Sequence, residues 1–593
     1  MPSKKTWCRK GATRFVIALV AGVLVACSPE DSGNARDVAD VGKSSIKFGE
    51  GEGSGSIYGN YLAGRFAETE SDLDFAANMM ERVLEENPSD QEILRRTFVL
   101  ELSAGHGKRA AELAERLLKL GNTMTSASLL VAGRDLKAGK LDAALKLADE
   151  MSDSGLSRFS KPIARAWIFA AMKKYDDALK ALDPLAAEKG FAAMYGMHAG
   201  LIEELAGRTK AAEKRYRKLI DDPKDASSRI IRVYASVLQR NGKTAEAEKI
   251  IEAKLKSNEE SLVLSDDLAE LKKGEKIERI VTTPTEGLAE GLFNLASALP
   301  RDRAENVVLL YARIALDLAP HFDLAQLLVG DVLISRERYK EAIECYRKVK
   351  PNTAYGWSAR LRIADALYEM NKMDEATKLL ETMANERKDR IDALVNLGNY
   401  LRYKEKFKEA VDAYDRAFKR IKKPTADDWS LYYSRGIALE RSHNWDRAEK
   451  DFLEALKLEP DQPYVLNYLG YSWVERGKHL KRAQAMIERA VQQRQNDGYI
   501  VDSMGWVLYR LGKYEGAVTQ LERAVQLRPQ DPVINDHLGD AYWRAGRQHE
   551  ARFQWYRALS FKPDEKDKAK IETKLEKGMG PAEPITEKSG SGG

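Results

Sequence analysis

Gly436, Gly470, Gly505 and Gly539 return at steps of 34, 35 and 34 residues, and Ala448, Ala483, Ala517 and Ala551 follow them at steps of 35, 34 and 34. Ala455, Ala490, Ala524 and Ala558 keep the same step, and Pro460, Pro529 and Pro563 close three of these four units. A period near 34 with small residues at set offsets is the signature of tandem helical hairpins. Within Gly498 to Asp531, Val501, Met504 and Leu508 form a 3-4 apolar stripe on a first helix, beside Gly505. Gly512 and Lys513 interrupt it, and Tyr514 to Leu527 resumes on a second helix carrying Ala517, Leu521 and Ala524. The small residues let two antiparallel helices approach, and Pro529 ends the second because it cannot donate a backbone hydrogen bond.

These residues resemble the tetratricopeptide repeat (TPR). The resemblance implies an all-α fold, a right-handed TPR α-solenoid of about fourteen hairpins in two arrays. Eight units start near Ala289, Asp323, Trp357, Ile391, Trp429, Pro463, Gly498 and Pro532. Six weaker ones start near Ile57, Gln91, Thr125, Phe159, Ala193 and Ser228, with Ala76, Ala110, Ala144, Ala178, Ala212 and Ala247 in their second helices. Gly105, Gly139, Gly207, Gly242, Gly477, Gly512 and Gly546 fall at the inter-helix turn, where a glycine supplies positive φ. The expected organisation is an N-terminal array over 57–261, an irregular joint of helix and loop over 262–288, and a C-terminal array over 289–565. A capping helix at 566–577 and a disordered tail at 578–593 complete it.

At the N-terminus, Lys4, Lys5, Arg9, Lys10 and Arg14 precede an apolar run from Phe15 to Ala26, too short to span a bilayer of about 30 Å. Residues 1–26 therefore read as a signal peptide. Leu24-Val25-Ala26-Cys27 resembles a bacterial lipobox, which implies cleavage before Cys27 and its lipidation by a diacylglycerol and an amide-linked chain such as palmitate. Ser28 in place of aspartate implies the outer membrane, with the chain facing the periplasm. Residues 27–56 are a polar, glycine-rich tether, a coil on the order of 30 Å in reach.

The full chain holds 96 Lys and Arg against 91 Asp and Glu. All five basic residues of the leader leave with it, so the mature chain balances, and no net field argues for nucleic acid. Cys8 leaves with the leader and Cys27 takes the lipid, which leaves Cys345 without a disulfide partner and reading as a packing residue. The seven histidines include no i, i+4 metal pair. Gly242-Lys243-Thr244 lacks the upstream glycine of a phosphate loop and sits at a hairpin turn. The reading is therefore no enzyme, no catalytic residue, no metal, no cofactor and no small-molecule substrate.

Function then lies in a surface. In the TPR family, offsets two, five, nine, twelve and thirteen of each unit line a concave groove. The resemblance places there Tyr433, Tyr464, Asn467, Tyr471, Tyr499, Asp502, Trp506, Tyr509, Asp536, Asp540 and Trp543. Asn396 and Asn399 join them, although Val395, Tyr433 and Ile437 lack the cations of a carboxylate clamp. An aromatic, weakly acidic lining fits a peptide segment of an envelope protein. Lipid-anchored TPR proteins of this build include adaptors that bring a carboxy-terminal processing protease together with cell-wall hydrolases. Others are scaffolds of exopolysaccharide export machines. The first is the expected role for this chain, and a scaffold of an exopolysaccharide export or other envelope assembly machine is the alternative.

Overall fold

A computed structural model of the protein describes residues 56–256 and 261–581. The expected signal peptide, Cys27 and all of the tether but Ser56 lie outside the described residues, as does the tail after Pro581. Among the described residues every regular element is helical, and the helices pair into fourteen antiparallel hairpins. The chain divides into two compact units inside the helix Met373–Glu386, between Ala376 and Thr377.

One packing rule builds the hairpins. Tyr216, Tyr346, Tyr414, Phe452, Leu521 and Trp555 are completely or almost completely buried on second helices, each sixteen residues after a glycine on the first: Gly200, Gly330, Gly398, Gly436, Gly505 and Gly539. A Cβ at any of these glycines would stand under 3.0 Å from the large side chain. Bare backbone is thus the surface against which the ring lies, and close-packing of the pair follows. The polar tips find partners one residue beyond the glycine: Tyr346 donates to Asp331 at 2.9 Å, Tyr414 to Asn399 at 2.7 Å, and the Trp555 indole to Asp540 at 3.0 Å. Burial pushes the Tyr414 hydroxyl up to about 12, so it stays a donor.

The turn between helices is equally regular. Thirteen hairpins carry a left-handed residue there: the seven glycines of the sequence analysis plus Ser71, Lys173, Glu337, Asn371, Glu405 and His443, with φ from 59 to 100°. At Gly512 the cap closes by the Gly512 amide reaching the Tyr509 carbonyl and the Lys513 amide the Leu508 carbonyl, both at 2.9 Å. The step from Glu405 to His443 is longer because the 3-10 turn Ala426–Asp428 is inserted between repeats.

In the unit ending at Ala376, six hairpins run from Ile57–Thr69 to Thr244–Leu255. The segment 262–288 is more ordered than a loose joint. Leu262–Lys272 is a helix, Ile277 and Val281 are buried, and Gln239 holds the strand-like connection through the Ile277 amide at 3.0 Å and the Glu275 carbonyl at 2.6 Å. The next hairpin starts earlier than expected, at Pro284, because Thr283 and Glu286 form a capping box. It also packs elsewhere. Its helices, Pro284–Ala298 and Arg301–Leu318, lie along the first helices of the preceding repeats, so this hairpin, counted with the C-terminal array from the sequence, fills the inner face of the N-terminal one.

The contacts are specific. Gly287 and Gly291 bring the Pro284 helix against Trp167 and Ile163. Leu318 fills the space over Gly133, Arg134 holds Asp317 at 3.0 and 2.7 Å, and Arg313 reaches the Ser103 carbonyl at 3.1 Å. Buried Glu290 pairs with Arg229 at 3.1 Å, and Arg229 also reaches the Tyr355 hydroxyl at 3.3 Å. His198 is wholly buried among them. Its Nδ1 lies 3.2 Å from the Trp167 indole nitrogen, which donates to it, and its Nε2 lies 3.3 Å from the Asn294 side-chain nitrogen.

Two outcomes follow from this packing. Gly512 has nothing within 4 Å of an added Cβ, so Gly512→Ala meets only backbone strain and should destabilise by about 1 kcal/mol, while Lys173→Gly should stabilise by about 0.5 kcal/mol in urea unfolding. Burial lowers His198 from 6.5 to about 4, so the unfolded chain binds the proton first. Stability is then full above pH 6.5 and falls by about 3 kcal/mol as pH drops to 4, a loss that His198→Gln should flatten in the same titration.

Candidate functional site

In the unit from Thr377 onward, five first helices present the residues named from the sequence: Asp392–Tyr403, Trp429–Arg441, Pro463–Glu475, Gly498–Arg510 and Pro532–Arg544. Four of them begin with a side-chain cap or an acidic first turn, as Asp497 caps Tyr499 at 3.1 Å and Asp531 caps Val533 at 3.0 Å, and Trp429–Arg441 has neither. Neighbouring first helices touch, so residues one repeat apart meet.

The named residues divide into four groups, with Asp540 in two of them. Asn399 and Asp540 hold the ring tips of Tyr414 and Trp555, and this internal bond occupies them. Their spacing, fifteen residues before an aromatic that follows a glycine by sixteen, is a sequence signal that the groove offsets hide.

A second group joins repeats. Tyr433 sits edge-on to Tyr468, centroids 6.0 Å apart, and burial drives its hydroxyl well above the ordinary tyrosine range. Trp506 stacks on His537 at 4.1 Å and on Tyr509 at 4.8 Å, and its indole donates to Glu475 at 2.8 Å. Arg510 adds an ion pair to the same Glu475. His537 bonds Asp502 at 2.9 Å. Burial alone would lower the imidazole, but Asp502 outweighs it and holds His537 above 6.5. His537 escaped the sequence reading because its partner lies 35 residues back, a full repeat, and no local motif marks it.

The last repeat is closed by the chain itself. Lys574, on the helix Glu565–Lys577, reaches Asp536 at 2.8 and 2.9 Å and Asp540 at 2.7 and 2.8 Å. Burial, and then Asp536, push the Asp540 carboxyl up, while Lys574 stays charged between the two. Gly578 lies where a Cβ would meet Trp543 at 2.5 Å, and Arg544 donates to the Gly580 carbonyl at 2.6 Å and the Pro581 carbonyl at 3.3 Å. Asp536, Asp540 and Trp543 therefore face the terminal helix and the first residues of the segment expected to be tail. Two carboxylates one helical turn apart need a cation, and the next helix supplies it.

What is left is a row of half-buried residues: Asn396, Tyr464, Asn467, Tyr471 and Tyr499. Tyr464 lies under the Arg494 guanidinium at 5.6 Å and Tyr499 under that of Arg528 at 4.9 Å. Burial, then Glu475 and Asp502, raises the Tyr471 hydroxyl. The Asn467 Oδ1 is buried without a hydrogen-bond partner. A buried acceptor left unpaired is costly.

The comparisons agree with this fold. Residues 395–463 and 433–498 match the tetratricopeptide repeat model, and residues 505–546 match a TPR repeat model. The described residues form an all-α array of helical hairpins that matches the TPR models over 395–498 and 505–546. It is 30% identical over 202 residues to the TPR repeat-containing protein PA4667 of Pseudomonas aeruginosa, 34% of this chain and 32% of that one. It is 26% identical over 164 residues to the protein O-mannosyl-transferase TMTC1 of Homo sapiens, 28% of this chain and 18% of that one. The match thus spans about a third or less of each relative. Among solved structures, the Cut9–Hcn1 hetero-tetramer of the APC/C matches over 89% of this chain and 97% of that chain at 15% identity and a TM-score of 0.37. TPR repeats of this kind are generally non-enzymatic surfaces for protein–protein contact. Among the described residues no three His, Cys, Asp or Glu side chains gather as a metal site would require. Cys345 is buried, and burial raises its thiol away from the reactive thiolate.

Lys574→Met should strand Asp536 and Asp540 beside each other and loosen the closing helix. Hydrogen exchange across 565–577 is expected to speed up by roughly a hundredfold, in line with about 3 kcal/mol for breaking a buried pair, while exchange in Trp429–Arg441 stays unchanged.

Proposed function

We propose that the protein is a lipid-anchored, non-enzymatic adaptor facing the periplasm from the outer membrane, which holds an extended segment of a partner protein along the first helices of its C-terminal unit. The observation that carries the reading is the row of half-buried rings Tyr464, Tyr471 and Tyr499, with Asn467 beside them, on successive first helices. Such a row offers flat rings against which the side chains of a segment pack. The inner face of the first six repeats is occupied by the chain's own hairpin Pro284–Leu318, which favours the later repeats as the place of capture.

In its finer form the adaptor brings a carboxy-terminal processing protease to cell-wall hydrolases. The lipobox-like Leu24-Val25-Ala26-Cys27, the repeat content and the similarity to a bacterial TPR protein support this form. Proteins co-purified from detergent-solubilised membranes test it: a serine protease with cell-wall enzymes supports the adaptor, whereas a synthase or export porin points to an exopolysaccharide machine. Tyr464→Ala, Asn467→Ala and Tyr499→Ala together should lower capture of the recovered partner by roughly a hundredfold at an unchanged melting temperature. Unchanged capture would move the contact to another face. Mass spectrometry of the N-terminal peptide should show acyl groups on Cys27 that Cys27→Ala lacks, and an unmodified Cys27 would refute the anchor.

A further inference from the structure

The first helix, Ile57–Thr69, buries Gly64 and Ala67 and turns its opposite face outward. On that face Tyr58, Leu62 and Phe66 are 79%, 66% and 51% exposed. They stand four residues apart, so they form one stripe along the helix. In later repeats the preceding second helix packs on each first helix, as Leu73–Glu86 does on Gln91–Ala104. Among the described residues no helix precedes the first one. Terminal repeats ordinarily carry a polar outer face, and this one carries two aromatic rings and a leucine.

The chain entering this helix argues for what covers it. Residues 28–55 are polar and glycine-rich and lead back to Cys27, so the stripe begins about 30 residues from the expected acyl groups. A flexible linker of that length, which the composition predicts, would reach on the order of 30 Å and keep the helix near the bilayer at millimolar effective concentration. Arg65 lies on the same arc, with its side chain 44% exposed. Aromatic rings, an aliphatic side chain and a guanidinium on one arc are the chemistry of helices that lie in a headgroup boundary. No described helix is long and apolar enough to cross a membrane, so the contact is with a surface.

We propose that Ile57–Thr69 docks on the lipid surface through Tyr58, Leu62 and Phe66, with Arg65 beside the lipid phosphates, so that the repeats are oriented as well as tethered. The proposal rests on the lipid-anchor reading for its occupant. Its physical basis is the stripe, which an unacylated chain also carries.

The test uses the polypeptide from Ser28 onward, without acyl groups, floated with vesicles of phosphatidylethanolamine and phosphatidylglycerol. The parent should float with the lipid, and Tyr58→Ser, Leu62→Ser and Phe66→Ser together should lower its partition coefficient by about tenfold or more. Phe553→Ser with Tyr556→Ser, which removes another exposed aromatic pair (62% and 63%), should leave it unchanged. Because all three stripe residues are exposed, the melting temperature should not move. Equal flotation of parent and triple variant overturns the proposal, as does a parent that does not float. A dimer in sedimentation that the triple change dissolves, without flotation, assigns the stripe to a second copy and overturns it too. Capture of a protein partner on the stripe by a parent that does not float overturns it in the same way. Since the floated chain carries no acyl groups, failure here is distinct from the finding of an unmodified Cys27 by mass spectrometry.

Discussion

Everything in this molecule depends on the approach of two antiparallel helices at a glycine. Where Gly330, Gly398, Gly436, Gly505 or Gly539 removes the Cβ, a ring or leucine sixteen residues later lies directly on backbone. That contact brings the helices of each hairpin together, and the hairpin geometry sets how each repeat meets the next. It also consumes polar groups. Asp331, Asn399 and Asp540 are committed to the tips of Tyr346, Tyr414 and Trp555, because a buried hydroxyl or indole donor without an acceptor would cost more than the contact returns.

The same economy explains why the recognition face is narrower than the offsets imply. A groove in a solenoid is also the seam between repeats, so a side chain there either spans the seam or remains available. Trp506, His537, Asp502 and Glu475 span it. Asp536 and Asp540 serve the closing helix through Lys574. Tyr464 and Tyr499 are half-buried beneath the Arg494 and Arg528 guanidinium groups, with Asn467 half-buried on the same helix as Tyr464. In the other unit, Gly287 and Gly291 let Pro284–Ala298 press onto Trp167 and Ile163, so the chain occupies its own inner face.

Period, helix count and turn positions were legible from the sequence because they rest on local chemistry: a missing Cβ, a missing amide hydrogen, and left-handed backbone that glycine adopts freely. Six turns were hidden, since Ser71, Lys173, Glu337, Asn371, Glu405 and His443 adopt the same backbone without glycine, held by the helices on either side. The destination of the Pro284 hairpin was hidden as well, because its partners Ser103, Arg134, Trp167, His198 and Arg229 lie about 60 to 210 residues away.

What the sequence by itself determined, then, is a repeating all-α chain with about fourteen hairpins, since each hairpin is a local solution to burying one apolar stripe. What only the tertiary structure decided is which faces remain to meet a partner. That choice is made by contacts between residues a repeat or more apart, such as Asp502 with His537, Asp540 with Lys574 and Arg229 with Glu290. Their strength depends on burial that no local spacing encodes.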